Sequence, residues 1–224
     1  MAGLFRKRDK KDIPSSKTPL KRNILMKCEY GAGKYTVENI DLKSSPYYGL
    51  YPKVMSLGYL PYYPTIDDPV IKEIATQLNR QLEGRDDRVK ATVVLSMIQQ
   101  NIKYTSDEEI YGLPDVWGLP ATVLSKMKGD CDCMSNLYVS IAHNMGLDVV
   151  SVIITGHMFP AVCFEGGHGK SYEHNEKTYF HMEVTDELPA AGRFWSDSSE
   201  LVKISEPKLP SESFRNSLKR VNAR

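Results

Sequence analysis

The chain has 224 residues, 41% hydrophobic and 25% charged, with a formal net charge of +1. This is an ordinary globular composition, long enough for one sizeable domain with a real core. It excludes a membrane-spanning chain, since no apolar run approaches the ~18 residues a span needs, and four cysteines in this length exclude a disulfide scaffold.

The balanced total hides an asymmetry. Residues 1–27 carry nine Lys/Arg against Asp9 and Asp12, so the remainder is acidic. Residues 1–25, interrupted by Pro14, Ser15, Ser16 and Pro19, read as a basic flexible arm. Such an arm would contact an acidic protein, nucleic acid or an anionic surface; a soluble leader is the alternative. The start lacks the apolar segment of a secretory signal. A cytoplasmic location is therefore expected, with virion association as the alternative.

From Cys28 to Pro64 the chain is rich in Tyr, Gly and Pro. A short strand or hairpin is expected first, then an ordered coat over the core, because the tyrosines and leucines carry too much apolar surface to leave in water. Ile71, Ile74, Leu78 and Leu82 repeat at helical spacing within 67–82, and Val94, Ile98 and Ile102 do so within 87–102. SDEE reads as an acidic turn. Two Gly-Leu-Pro tripeptides then predict a shaped loop, with a short helix over 121–127. The next helix is expected from about Cys131 to Met145, with Gly146 as its C-terminal cap. Asp148–Ile154, Met158–Phe164 and Tyr179–Thr185 read as strands, the last with clean alternation, and Gly166–Thr178 as a polar connection. Several helices followed by an antiparallel sheet make an α+β fold. Residues 26–202 form the domain, and 203–224 read as a C-terminal tail or one weak helix.

The chemistry concentrates in KGDCDC. Cys131 falls in the first turn of its helix, where free amides favour a thiolate and the Cys131 amide could face a developing oxyanion. A buried structural thiol is the alternative. Gly129 and Asp130 let the chain turn into the helix, Asp130 as a cap. His157, after Gly156, opens the next strand as a candidate general base and acid. Glu183 shares a strand face with His181 and could orient His157. A lone C-x-C falls short of zinc spacing, so no metal and no cofactor are expected. A redox pair is disfavoured by the small strained ring C-x-C would close.

WGLPATVLSKMKGDCDCMSNLYVSIAHNMGLDV, GHMFPAV and YFHMEVT together resemble the transglutaminase-like superfamily, whose fold is shared with papain-like cysteine peptidases, in its small prokaryotic or viral form. The matching core runs over about 88–185, with 26 residues from Cys131 to His157 and 26 more to Glu183. The resemblance implies Cys131 as nucleophile, His157 as general base and acid, and Glu183 as the orienting acid of a catalytic triad. It also places Trp117 near the cleft as a wall of a substrate-binding groove, although core packing suits it equally. Cys133 departs from the pattern by standing where the family has Asp, and its side chain points about 200° around the helix from Cys131. The implied activity is cysteine-dependent acyl transfer on an amide, with hydrolysis of a peptide or isopeptide through a Cys131 acyl-enzyme expected. Protein transamidation is one alternative. A non-catalytic structural or interaction protein, as in viral or phage assembly, is another.

Overall fold

The computed structural model describes residues 22–52, 55–186 and 200–220. The basic arm expected over residues 1–25 lies outside these up to residue 21.

The chain opens with an antiparallel hairpin, β1 (Asn23–Tyr30) and β2 (Gly33–Asp41). A short strand, β3 (Leu50–Pro52), follows, and then a 3-10 turn over Leu57–Tyr62. In the expected coat, Tyr47, Tyr51 and Tyr63 are all buried, so it is packed rather than draped. Helices α1 (Pro69–Gln81) and α2 (Asp87–Asn101) start where the sequence places them. Asp68 and Asp86 accept hydrogen bonds from Val70 and Val89 amides, supplying the caps that free first-turn donors need. The hairpin packs on both helices, and Gln77, Gln81, Gln100 and Asn101 reach from them to its edge amides and carbonyls.

A two-residue strand, β4 (Lys103–Tyr104), leads into α3 (Asp107–Tyr111). The SDEE segment is thus a helix start and not merely a turn: Ser106 Oγ caps Glu109, and three acids lie in the positive first turn. Helix α4 (Pro120–Lys126) is closed by Met127 in the left-handed region. The short strand β5 (Lys128–Gly129) then pairs in parallel with β4. Helix α5 (Cys131–Asn144) follows, and Gly146 terminates it at φ +87°.

A five-stranded antiparallel sheet completes the α+β fold, in the order β10-β6-β7-β9-β8. Its members are β6 (Asp148–Ile154), β7 (His157–Cys163), β8 (Ser171–His174), β9 (Lys177–His181) and β10 (Leu201–Ser205). Helix α5 packs against β6 and β7. Three expectations are corrected here. The polar connection 166–178 contains β8, an edge strand whose outward residues are polar because solvent covers them. The third strand ends at His181, not Thr185, because Thr185 turns its amide back to the Glu183 side chain. Its alternation is also lost, since His181, Met182, Glu183 and Val184 are all buried.

The C-terminal stretch, expected as a tail or one weak helix, does contain one short helix, with strands on either side of it. The described part of 203–224 is folded onto the domain through β10, α6 (Glu212–Ser217) and β11 (Leu218–Arg220). Strand β11 returns to pair with β3, and Phe214 is fully buried among Tyr59, Tyr62 and Tyr63. An aromatic of this size buries enough apolar surface to hold so short a helix in place.

Candidate active site

The site lies where β9 stops covering β7. The β7–β9 ladder spans Ala161–Val162, and the Met182 amide adds one more bond to the Pro160 carbonyl. Beyond it the same edge of β7 is open, and the start of α5 takes it over. Ser135 Oγ lies 2.6 Å from the Cys131 carbonyl and 3.1 Å from that of Met158, tying the first turn of α5 to β7.

Cys131 is the first residue of α5, behind the cap Asp130, whose Oδ1 accepts from the Cys133 amide at 3.3 Å. Burial pushes the Cys131 thiol up, and Asp132 and Asp130 add to this, while the Met158 and Asp132 amides act the other way. The surroundings therefore favour a neutral thiol, not the thiolate that a helix start alone would give. Gly129 is required by packing, because a Cβ there would come 2.8 Å from that of Cys133.

His157 is set by the tight turn between β6 and β7. Ile154 pairs with His157 across Thr155 and Gly156, and Gly156 adopts φ +80°, which favours glycine. His157 Nε2 lies 2.9 Å from Glu183 Oε2. With Nε2 donating to the carboxylate, Nδ1 is left as the accepting nitrogen. Burial alone would raise the Glu183 carboxyl, but hydrogen bonds from His157 and His181 hold it well below the usual carboxylate range. Thr185 adds its amide at 3.0 Å and its hydroxyl at 2.6 Å.

The structure thus brings His157 and Glu183 into direct contact. It brings Cys131 against the backbone of Met158, the residue next to His157. Trp117 is only 8% exposed and stands edge-on to Tyr63 at 4.9 Å, in the same apolar cluster as Met158. Its ring is committed to packing.

Cys133 points away from this edge. Its fully buried thiol donates to the Val116 carbonyl at 3.4 Å and accepts from the Gly118 amide at 3.2 Å. Around it Asp130 is joined by Asp107, Asp115 and Asp132, which sequence reasoning missed. Ligating atoms of Asp107, Asp130 and Cys133, and of Asp107, Asp115 and Asp132, lie within 4.8 Å of one another in each set, and these residues would be the ones to hold a cation. Burial, then Asp130, pushes Asp107 up to about 8. Burial, then Asp130 and Asp107, lifts Asp132 well above the usual range. Carboxyls so crowded share protons instead of all ionising. Tyr104 was also missed. It is 56% exposed, pairs with Gly129 across β4 and β5, and has its hydroxyl raised by burial and then by Cys131 and Asp130.

Residues 69–182 match the sequence profile of the transglutaminase-like superfamily. The chain belongs to that superfamily. Among solved structures, a suspected protease from Parabacteroides distasonis is similar at 12% identity and a TM-score of 0.36, over 79% of this chain and 41% of that one. The chain thus spans about two fifths of the length of that protein. No curated protein matches the sequence. Superfamily membership supports general catalytic potential of the hydrolase or acyl-transferase kind. Among the described residues no helix is long and apolar enough to cross a membrane.

Proposed function

We propose that this transglutaminase-like chain is a cysteine-dependent acyl transferase acting on an amide, with hydrolysis of a peptide or isopeptide as its reaction. The observation that carries this reading is the part-buried 2.9 Å contact between His157 Nε2 and Glu183 Oε2. It leaves His157 Nδ1 as base, one residue from the Met158 backbone that Cys131 meets.

In the proposed sequence the Cys131 proton passes to His157 Nδ1 as sulfur attacks the carbonyl carbon. The oxyanion receives the Cys131 amide, and the hydroxyl of Tyr104 is the second donor proposed. The C–N bond breaks as His157 returns its proton to the leaving amine, and a thioester remains. Water, deprotonated by His157, then attacks the thioester, and the C–S bond breaks to regenerate the thiol. Glu183 orients His157 and carries the counter-charge while the ring is protonated. A neutral resting thiol means that proton transfer accompanies attack, instead of preceding it as a stored ion pair. Trp117 supports the groove from its buried side, through the cluster that includes Met158. Gly129, Asp130 and Gly156 set the backbone on which Cys131 and His157 stand.

The test is iodoacetamide labelling followed across pH by mass spectrometry, read separately for Cys131 and Cys133. Selective labelling of Cys131 that is lost in His157→Ala supports the reading. Equal, slow labelling of both cysteines, unchanged by His157→Ala, sinks it. A screen of peptides and isopeptides with and without a fluorescent primary amine then separates hydrolysis from transamidation. Amine incorporation in preference to release of free acid would replace hydrolysis with transamidation.

A further inference from the structure

Glu183 is held by more than the histidine it orients. Oε2 faces His157 Nε2 at 2.9 Å and His181 Nε2 at 3.2 Å, while Oε1 takes both donors of Thr185. Its backbone carbonyl accepts from Gln99 of α2 at 2.8 Å. His181 closes β9, is fully buried, and lies against Phe159 with ring centroids 4.0 Å apart and 31° between planes. The Phe159 ring also lies 5.8 Å from the His157 ring. Two imidazoles thus neighbour one phenyl ring and converge on one carboxylate oxygen.

An ionised oxygen can face two imidazole nitrogens only if both carry hydrogen. That condition fixes His157 as the Nε2–H tautomer. The terminal torsion of glutamate is soft, and the donors of Thr185 restrain it through Oε1 alone. A second donor on Oε2, arriving from β9, restrains the oxygen that faces His157. We propose that His181 is a positioning residue, whose Nε2–H pins Glu183 Oε2 against His157 and so keeps His157 Nδ1 available as the base. The inference rests on the acyl-transfer reading above.

The charge type of this donor matters. The groups acting on His181 are Glu183, His157 and Lys170. Burial lowers the His181 pKa, against the pull of Glu183. A neutral imidazole supplies a hydrogen bond without supplying a cation. The negative charge of Glu183 therefore stays available to the imidazolium that His157 becomes during acyl transfer. A lysine or arginine at the same place would compete for that charge.

Two variants separate the donor from the packing. His181→Phe keeps an aromatic ring against Phe159 and removes the donor; His181→Met takes its place if the phenylalanine does not fold. His181→Gln keeps an N–H at similar reach. The readouts are the 15N spectrum of the His157 ring, the pH–rate profile of Cys131 alkylation by iodoacetamide, and a thermal melt. Wild type is expected to show His157 as a single Nε2–H tautomer. The donor-less variant should show mixed tautomers, alkylation slowed about tenfold and a displaced pH limb, with His181→Gln restoring all three. A donor-less variant with wild-type tautomer and profile overturns the proposal. So does a His181→Gln variant that melts like wild type yet behaves like the donor-less one. Alkylation indifferent to His157→Ala would instead overturn the acyl-transfer reading, and the tautomer spectra would still decide whether His181 positions Glu183.

Discussion

Glu183 and Asp107 are both buried carboxylates, at 1% and 3% exposure, yet their pKa values move in opposite directions. Desolvation raises both. The difference is what surrounds them. Glu183 faces two imidazoles and both donors of Thr185, which stabilise its charge. Asp107 has the Val116 amide as a donor but shares its surroundings with Asp130 and Asp115. Burial therefore does not decide whether a carboxyl here is an anion or an acid; the supply of donors does. Glu183 holds a negative charge for His157, whereas the carboxyls around Asp107 and Asp132 are pushed towards their protonated forms.

Breaking the donor-rich side should have the largest effect. Glu183→Gln keeps the shape but removes the charge, and on the proposed mechanism it should slow acyl transfer about 10³-fold, read as single-turnover thioester formation. Restoring the family's acid at Cys133 tests the other side. Cys133→Asp places one more carboxylate in a fully buried, acid-lined position and should destabilise the fold by about 3 kcal/mol, more at pH 8 than at pH 5, in denaturant melts.

Asp107 gives the comparison its pH signature. Its folded pKa is raised, so its contribution to stability is complete below the ordinary carboxylate range and is lost as pH rises towards about 8. Glu183 is lowered, so its contribution is present above that range and is lost on acidification. Asp107→Asn should therefore be more stable than wild type at pH 8, by about 2 kcal/mol or less, with the gain disappearing by pH 4. The smallest effect is expected from Thr185→Val, which removes the 2.6 Å hydroxyl donor and keeps the amide. It should cost about 1 kcal/mol and move the onset of acid unfolding to higher pH.

Much of this arrangement could be read in the sequence. The periodicity of α1 follows one-sided burial, whereas α2 and α5 are buried all round over 91–98 and 132–142, and the spacing of GDC, GHMFPAV and YFHMEVT anticipates the contact of His157 with Glu183. What stayed hidden depends on partners far along the chain. Strand β11 owes its existence to pairing with β3, and nothing local in LKR marks a strand. Strand β8 is an edge whose polar residues resemble a loop, and α3 is too short to show a period. The aspartate cluster draws on Asp107, Asp115, Asp130 and Asp132, each unremarkable where it stands. His181 was visible as a neighbour of Glu183 on one strand face. Its contact with the oxygen already facing His157 was not.

The turn at Thr155 and Gly156 fixes more than a reversal of direction. It holds the pairing of Ile154 with His157 and of Ile153 with Met158, and these two pairs look to opposite faces of the sheet. Lengthening or shortening this turn by one residue would exchange the faces of His157 and Met158, sending the imidazole into the cluster of Trp117 and Tyr63. Indels should be excluded here, whereas the turn at Asn175 and Glu176, between β8 and β9 at the far edge of the sheet, leaves the facing of His157 untouched when it changes length.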